Sequence, residues 1–187
     1  MTSTDVRRIF HFQQLMPNRF FYQLALENFT PSRTQQVSVS PTIRQPGPDD
    51  LHALASLMLA AYSGTIDDDG GILEDAVNEV KNWLAGEYGD PLLSASRIAL
   101  DNDGDALSAV LVSRWGEENL PLITFVMTVP SSQKSGLARS LMEQTLASLK
   151  ETQETQVQAL VTEGNISSER LFRSLGFTRI RIGTRAL

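Results

Sequence analysis

The chain has 187 residues, 41% hydrophobic and 20% charged, which suits one globular domain with a sizeable core, alone or with an appendage, and excludes disorder of the whole. It contains no cysteine, so disulfide staples, thiolate metal sites and a cysteine nucleophile are excluded together. The formal charge of −6 is uneven: residues 1–45 carry five Arg against two acids, residues 67–118 thirteen acids against three bases, and residues 133–187 eight bases against five acids. An acidic middle argues against nucleic-acid binding, which needs a basic face, and suits a cationic small molecule. No apolar run approaches the roughly 20 residues that span a bilayer, and no secretory h-region opens the chain. A soluble, cytoplasmic protein without a membrane partner is expected.

Residues 1–40 read as an N-terminal extension, a Phe-rich helix plus a linker, ahead of a domain at 41–187. Five of the eight Phe lie in the first 30 residues, Phe10 and Phe12 among them. In "PNRFFYQLALENFTP" the spacing of Phe21, Leu24, Ala25 and Phe29 is that of one helix face. Such a face needs a cover, and three are open: the chain's own domain, a second subunit in a homodimer built through the extension, or a ligand cleft. "TPSRTQQ" reads as a linker, and in "QQVSVSPTIRQ" Val37 and Val39 alternate with polar residues as in a strand.

A helix follows at "PGPDDLHALASLMLAAY", with Pro48, Asp49 and Asp50 in the first turn and Leu51, Leu54, Ala55, Met58 and Ala61 on the 3.6-residue period. His52 lies off that stripe and reads as a surface residue. After the loop "SGTIDDDGG" comes a second helix, "ILEDAVNEVKNWLAGEYGD", with Leu73, Ala76, Val77, Val80 and Leu84 inward, ending near Gly86. Three strands, "SASRIALDN", "ALSAVLVSRW" and "PLITFVMTVP", are joined by hairpin turns "DNDGD" and "GEEN". A third helix carries Ala138, Leu141, Met142, Thr145 and Leu149 on one face. "TQVQALVTE" is a strand, "NISSERLFRSLGF" a helix and "FTRIRIG" a last strand. This order gives an α+β fold with one mixed sheet, not the strict alternation of a doubly wound fold.

The entry to the third helix, "VPSSQKSGLARSLM", has no acidic cap. Helix N-termini hold unpaired N–H groups and a partial positive charge, so a glycine-opened start without a cap suits a bound anion. The stretch lacks the three glycines of the dinucleotide fingerprint and the Gly-Lys-Ser/Thr of a Walker loop. Gln133, Gly136 and Ala138 do fill the pattern Gln/Arg-x-x-Gly-x-Gly/Ala, which resembles the acyl-CoA-binding motif of the GNAT family of N-acetyltransferases. "NISSERLFRSLGF" resembles a later motif of that family, Asn-x-x-Ala-x-x-Leu-Tyr-x-x-x-Gly-Phe. Asn165, Leu171, Gly176 and Phe177 are in place, while Ser168 stands for the Ala and Phe172 for the Tyr. The resemblance covers roughly residues 42–187.

What the resemblance implies is a central mixed, mostly antiparallel sheet flanked by helices and splayed between the fourth and fifth strands, "TFVMTV" and the one after it. It implies acetyl-CoA as cofactor, with the amides of Gln133, Lys134, Ser135, Gly136, Leu137 and Ala138 on the pyrophosphate. The pantetheine arm would enter the splay as an added strand, with Met127 and Val129 as backbone partners and the amide of Met127 or Thr128 facing the thioester oxygen. Asn165 would hold the arm from the other side, and Phe172 would pack against it or the core.

The reaction implied is direct attack of an amine on an acyl thioester, which needs a Glu, Asp or His base near the splay. "PLITFVMTV" has no acid. The nearest by topology are Glu117 and Glu118 in the preceding turn, which read as ordinary turn acids, and Asp67, Asp68 and Asp69, the better candidates for acceptor binding. Phe172 offers no hydroxyl to protonate the leaving thiolate; Tyr62 and Tyr88 are substitutes. The expected function is acetyl transfer to a primary amine of a small molecule or peptide, with no metal. The alternative is a non-catalytic acyl-CoA-binding or interaction protein on the same fold.

Overall fold

A computed structural model of the chain describes residues 18–31 and 41–180. The expectations at Phe10, Phe12, Val37 and Val39 fall outside those residues. Seven strands form one sheet: β1 Arg19–Ala25, β2 Thr42–Arg44, β3 Arg97–Leu100, β4 Ala106–Trp115, β5 Leu120–Thr128, β6 Gln156–Thr162 and β7 Thr178–Ile180. Their order is β2-β3-β4-β5-β6-β1-β7, and every neighbouring pair is antiparallel except β5 with β6. Helices α1 (Leu51–Tyr62) and α2 (Leu73–Leu84) cover one face, and α3 (Leu137–Glu151) and α4 (Ile166–Ser174) the other.

The alternation of side chains along β4 divides the core in two. Ala109 and Leu111 pack with Leu54, Leu57, Val80 and Trp83 beneath α1 and α2. Val110 and Val112 pack with Leu141, Met142 and Leu146 beneath α3. His52 is exposed on α1, as its place off the apolar stripe requires. On α2 the inward set is Ala76, Val80 and Trp83, whereas Leu73 is 47% exposed. The helix begins at Leu73, and its first turn projects past the edge of the core.

The largest departure from the sequence reading is the Phe-rich segment. Residues 19–25 are a strand, not a helix, and it lies inside the sheet between β6 and β7. Two periodicities compete there. Phe21, Leu24, Ala25 and Phe29 fit a helix, but Tyr22, Leu24 and Leu26 alternate, and these are the residues buried against α3 and α4. Aromatic density favours the pleated, two-sided environment of a strand with partners on both edges. Of the three covers the face required, these residues take the chain's own domain.

The parallel pair β5–β6 is joined only at Leu122 with Gln158 and Ile123 with Ala159, although β5 runs on to Thr128 and β6 to Thr162. On the other edge of β5 the register with β4 slips at the same point: Val112 faces Ile123 and Leu111 faces Phe125, leaving Thr124 as an extra residue. A bulge bends its strand and increases the twist, so β5 turns away from β6 immediately after the last paired residue. Counted with β1, the splay falls between the fifth and sixth strands, the same two that the sequence indicates.

Candidate active site

A cleft of about 230 Å³ opens where β5 and β6 part. Its walls come from the loop between α1 and α2, from Glu79 on α2, from Thr124 to Val126 on β5 and Leu160 to Thr162 on β6, from α4, and from Arg19 at the start of β1. Arg19 stands opposite Thr162 in the sheet, so the segment read as an appendage supplies a residue to the cleft.

Asp67, Asp68 and Asp69 all border this space, as expected, but each carboxylate is already engaged. Asp68 accepts from the amides of Gly64 (2.6 Å) and Gly70 (2.8 Å), which hold its carboxyl below the usual range. Asp69 accepts from the Gly71 amide at 3.0 Å. Asp67 crosses the cleft, taking the Thr162 hydroxyl on one oxygen and the Asn165 side-chain amide, at 2.7 Å, on the other. The triplet therefore shapes the loop and ties it to β6 and α4. Glu117 and Glu118 are exposed in the turn before β5, at the end of the strand away from the splay.

The carboxylate that sequence reading missed is Glu79. It lines the cleft, and burial, reinforced by the charge of Asp69, raises its pKa above the ordinary value of 4.5, against the opposing pull of the Tyr88 hydroxyl and Arg19. The Tyr88 hydroxyl interacts with Glu79, and its ring meets Phe125 of β5 edge-on with centroids 6.0 Å apart. Burial, and then the charge of Glu79, push the Tyr88 hydroxyl well above its usual range. The only signal in the sequence was Glu79's place one turn from Ala76 and one residue from Val80, which sets it at the margin of the buried stripe. Tyr62 also lines the cleft, and burial followed by the charge of Asp67 raises its hydroxyl pKa.

The backbone of β5 requires a correction of one residue. The Val129 amide donates to the Leu107 carbonyl at 3.0 Å, and the Met127 carbonyl accepts the Ser108 hydroxyl at 2.7 Å. In an antiparallel ladder the bonding direction alternates along the strand. Met127 and Val129 thus face β4, Met127 with its side chain fully buried, and cannot also pair across the splay. The groups directed at β6 belong to Val126 and Thr128.

At the entry to α3, Pro130–Ser132 form a single 3₁₀ turn, and Gly136 is the N-cap residue at φ 86°, with no side chain capping the helix. Lys134 is also left-handed, at φ 61°. The Ser135 hydroxyl binds the Ser132 carbonyl at 2.6 Å and receives the Leu137 amide at 3.3 Å. Leu137 is buried, whereas Ala138 remains half-buried at the mouth of the turn. Successive left-handed and extended residues turn amide groups toward one point, the geometry of an anion-binding nest.

Asn165 caps α4 by accepting the Ser168 amide at 3.0 Å while its side-chain amide serves Asp67. Phe172 is 4% exposed, stacked edge-on against Phe177 at 5.1 Å, and reaches the floor of the cleft. Gln133 and Lys134 are exposed beside the nest. Among the described residues, no cluster of three or more His, Asp or Glu could hold a metal ion, and no helix is long and apolar enough to cross a membrane.

Residues 101–186 match the FR47-like protein family. No curated protein matches the chain. Among solved structures, a GCN5-related N-acetyltransferase from Sphaerobacter thermophilus aligns over 96% of this chain and 55% of its own, with 14% identity and a TM-score of 0.64. This chain thus spans about half the length of that protein. The ribosomal-protein-S18-alanine N-acetyltransferase from Escherichia coli aligns over 76% of this chain and 80% of its own, with 18% identity and a TM-score of 0.59. AAC(6')-Iy in complex with the bisubstrate analogue CoA-S-monomethyl-acetylneamine aligns over 80% of this chain and all of its own, with 17% identity and a TM-score of 0.56. The sheet and its splay agree with these matches: the chain has the fold of GNAT N-acetyltransferase structures, and its residues 101–186 are similar to the FR47-like family.

Proposed function

We propose that the protein is an acetyl-CoA-dependent N-acyltransferase that acetylates a primary amine by direct attack, with Glu79 as general base. One observation carries the reading: a single splay in the sheet has an uncapped, glycine-opened helix start on one side and a partly buried carboxylate on the other. The AAC(6')-Iy complex holds a ligand that joins CoA to an acetylated amine compound, which supports the same division of the space here. Fold alone does not fix activity.

Acetyl-CoA supplies an acyl group held as a reactive thioester. The amides between Gln133 and Ala138 bind its pyrophosphate, where the helix dipole favours an anion and small side chains leave room. Val126 and Thr128 offer the pantetheine arm the strand edge that β6 leaves, and the Thr128 amide faces the acyl oxygen. A donor so placed is worth about 3 kcal/mol of transition-state stabilisation. Glu79 takes a proton from the amine as its nitrogen bonds to the acyl carbon and the carbon–sulfur bond breaks, and Tyr88 fixes its orientation. The thiolate leaves without an obligatory acid, because a thiol pKa near 8.5 makes it a tolerable leaving group close to neutral pH.

The test is amine-dependent release of free thiol from acetyl-CoA, a clean readout because the protein has no cysteine. Release above hydrolysis with any primary amine is expected. Tight acetyl-CoA binding with no release across a broad amine panel overturns the transferase reading and leaves a non-catalytic acyl-CoA-binding protein.

A further inference from the structure

Glu79 accounts for one hydrogen of an attacking primary amine. The nitrogen carries a second, which also needs a partner once it leaves water. Several polar side chains that border the cleft are already bonded within the protein. Asp67 takes Thr162 and Asn165, Asp68 takes the amides of Gly64 and Gly70, and the Thr124 hydroxyl donates to Ser113 Oγ at 3.1 Å. Tyr62 differs from these. Its side chain packs against the core beneath α1 and α2 and lines the cleft, yet its hydroxyl makes no hydrogen bond among the described residues.

Tyr62 is the last residue of α1, so it belongs to the helical layer that carries Glu79, on the opposite face of the sheet from α3 and its uncapped start. After burial, the influences on its hydroxyl are the charges of Asp67, Arg19 and Glu79, which border the cleft from the loop, β1 and α2. The sequence offers Tyr62 as a substitute for the missing acid. Its surroundings argue otherwise: burial, then the Asp67 carboxylate, hold its proton more tightly than a thiolate, with a thiol pKa near 8.5, can draw it away. A phenol that keeps its proton still has oxygen lone pairs to accept a hydrogen bond.

Resting on the transferase reading above, we propose that Tyr62 binds the acceptor and sets its specificity: the phenol oxygen accepts the second N–H of the amine while Glu79 takes the first proton. The four directions of the reacting nitrogen are then all assigned, to the carbon body, to Glu79, to Tyr62 and, through the lone pair, to the acyl carbon. The nitrogen–carbon bond forms as the carbon–sulfur bond breaks, Glu79 gains the proton, and Tyr62 keeps its own. The amide product retains the N–H that Tyr62 accepts. A secondary amine has no second hydrogen and sets an alkyl group against the phenol oxygen. A site that hydrogen-bonds its substrate rejects an analogue lacking the donor, so primary amines are selected over secondary ones.

The experiment measures kcat/KM by thiol release from acetyl-CoA for the full native chain and for Tyr62→Phe. The acceptors are phenethylamine, hexylamine, 1,6-diaminohexane and a tripeptide with a free N-terminus, each beside its N-methyl counterpart. The native protein is expected to favour the primary amine of each pair it uses by at least about tenfold. Tyr62→Phe is expected to lower kcat/KM for primary amines by about five- to tenfold, the effect of one hydrogen bond. It should leave the N-methyl amines undiminished, so that the preference collapses, with Tm and acetyl-CoA affinity unchanged. A loss shared equally by both classes, no loss with the primary amines, weakened acetyl-CoA binding, or native use of N-methyl amines as readily as primary ones overturns the assignment of Tyr62 and leaves the transferase reading intact. No thiol release with any amine overturns both.

Discussion

The Asp67 carboxylate accepts the Asn165 side-chain amide at 2.7 Å across the mouth of the cleft, while Asn165 caps α4 through the Ser168 amide at 3.0 Å. One side chain thus sets both the start of a helix and the position of the loop that frames the acceptor. Asn165→Ala removes the cap and the cross-cleft bond together, a loss of about 2 kcal/mol by the usual values for each. For a chain of this size that lowers Tm by about 4–8 °C. Asp67→Asn keeps the cap and is expected to raise acceptor KM more than it lowers Tm. A double-mutant cycle on thermal unfolding measures the coupling between the two residues.

Glu79 yields two predictions of opposite sign. Glu79→Gln is expected to lower turnover by about 10²–10⁴-fold, the usual contribution of a general base, and to abolish the acid limb of the pH–rate profile, which in the native protein lies above 4.5. Stability moves the other way. Because burial raises the folded pKa above the unfolded one, the group's stabilising contribution is complete below about 4.5 and is lost as pH rises through the folded value. At neutral pH the Gln variant should therefore unfold at the same or higher temperature than the native protein. A variant that loses both activity and stability would mark Glu79 as structural.

Asp50 behaves as the converse case. Its carboxylate is 10% exposed and takes two bonds from Arg44, at 2.6 and 2.7 Å, and one from the Gly47 amide at 2.8 Å. The Arg44 guanidinium holds it below its ordinary 3.8. A depressed carboxylate stabilises the fold above its unfolded pKa and ceases to do so as pH falls through the folded one. Arg44 is half solvated, so Asp50→Asn is expected to cost about 1 kcal/mol near neutral pH. The difference from the native protein should shrink below pH 3.8, which denaturant titrations at several pH values will show.

Gly89 governs the position of Tyr88. At φ 87° its backbone is left-handed, and a Cβ there would stand 1.5 Å from the Arg114 carbonyl oxygen. Gly89→Ala forces the segment away from β4, at a cost above about 2 kcal/mol. Tyr88 moves with it, so turnover should fall while acetyl-CoA affinity, measured by calorimetry, stays unchanged.

The sequence carried the order of strands and helices from β3 onward and both motifs, because each rests on local signals: alternation, a 3.6-residue period, a proline or a glycine in a turn; the strands that part came from the family resemblance those motifs carry. β1 was misread because Phe21, Leu24, Ala25 and Phe29 satisfy a helical period equally well, and only β6 and β7 on either side decide between them. Met127 and Val129 were assigned to the wrong edge because bonding direction depends on the ladder with β4, which begins from the Val129–Leu107 bond. Glu79 and Tyr88 are nine residues apart and meet only through the close approach of Gly89 to Arg114. The roles of Asp68 and Asp69 as braces depend on the amides of Gly64, Gly70 and Gly71, and that of Asp67 on Thr162 and Asn165, about a hundred residues away in the chain, which meet them only in the folded structure.

The central claim is that the uncapped start of α3 holds the pyrophosphate of acetyl-CoA, and isothermal titration of acetyl-CoA into the purified protein tests it before any acceptor is known. Binding near micromolar is predicted, with Gly136→Asp weakening it by more than about 100-fold through charge repulsion at the nest. Gly136→Asn, which tolerates the left-handed backbone without the charge, is predicted to lose much less, with both variants folded by circular dichroism. No binding at millimolar ligand, or equal affinity in the folded Asp variant, would contradict the account.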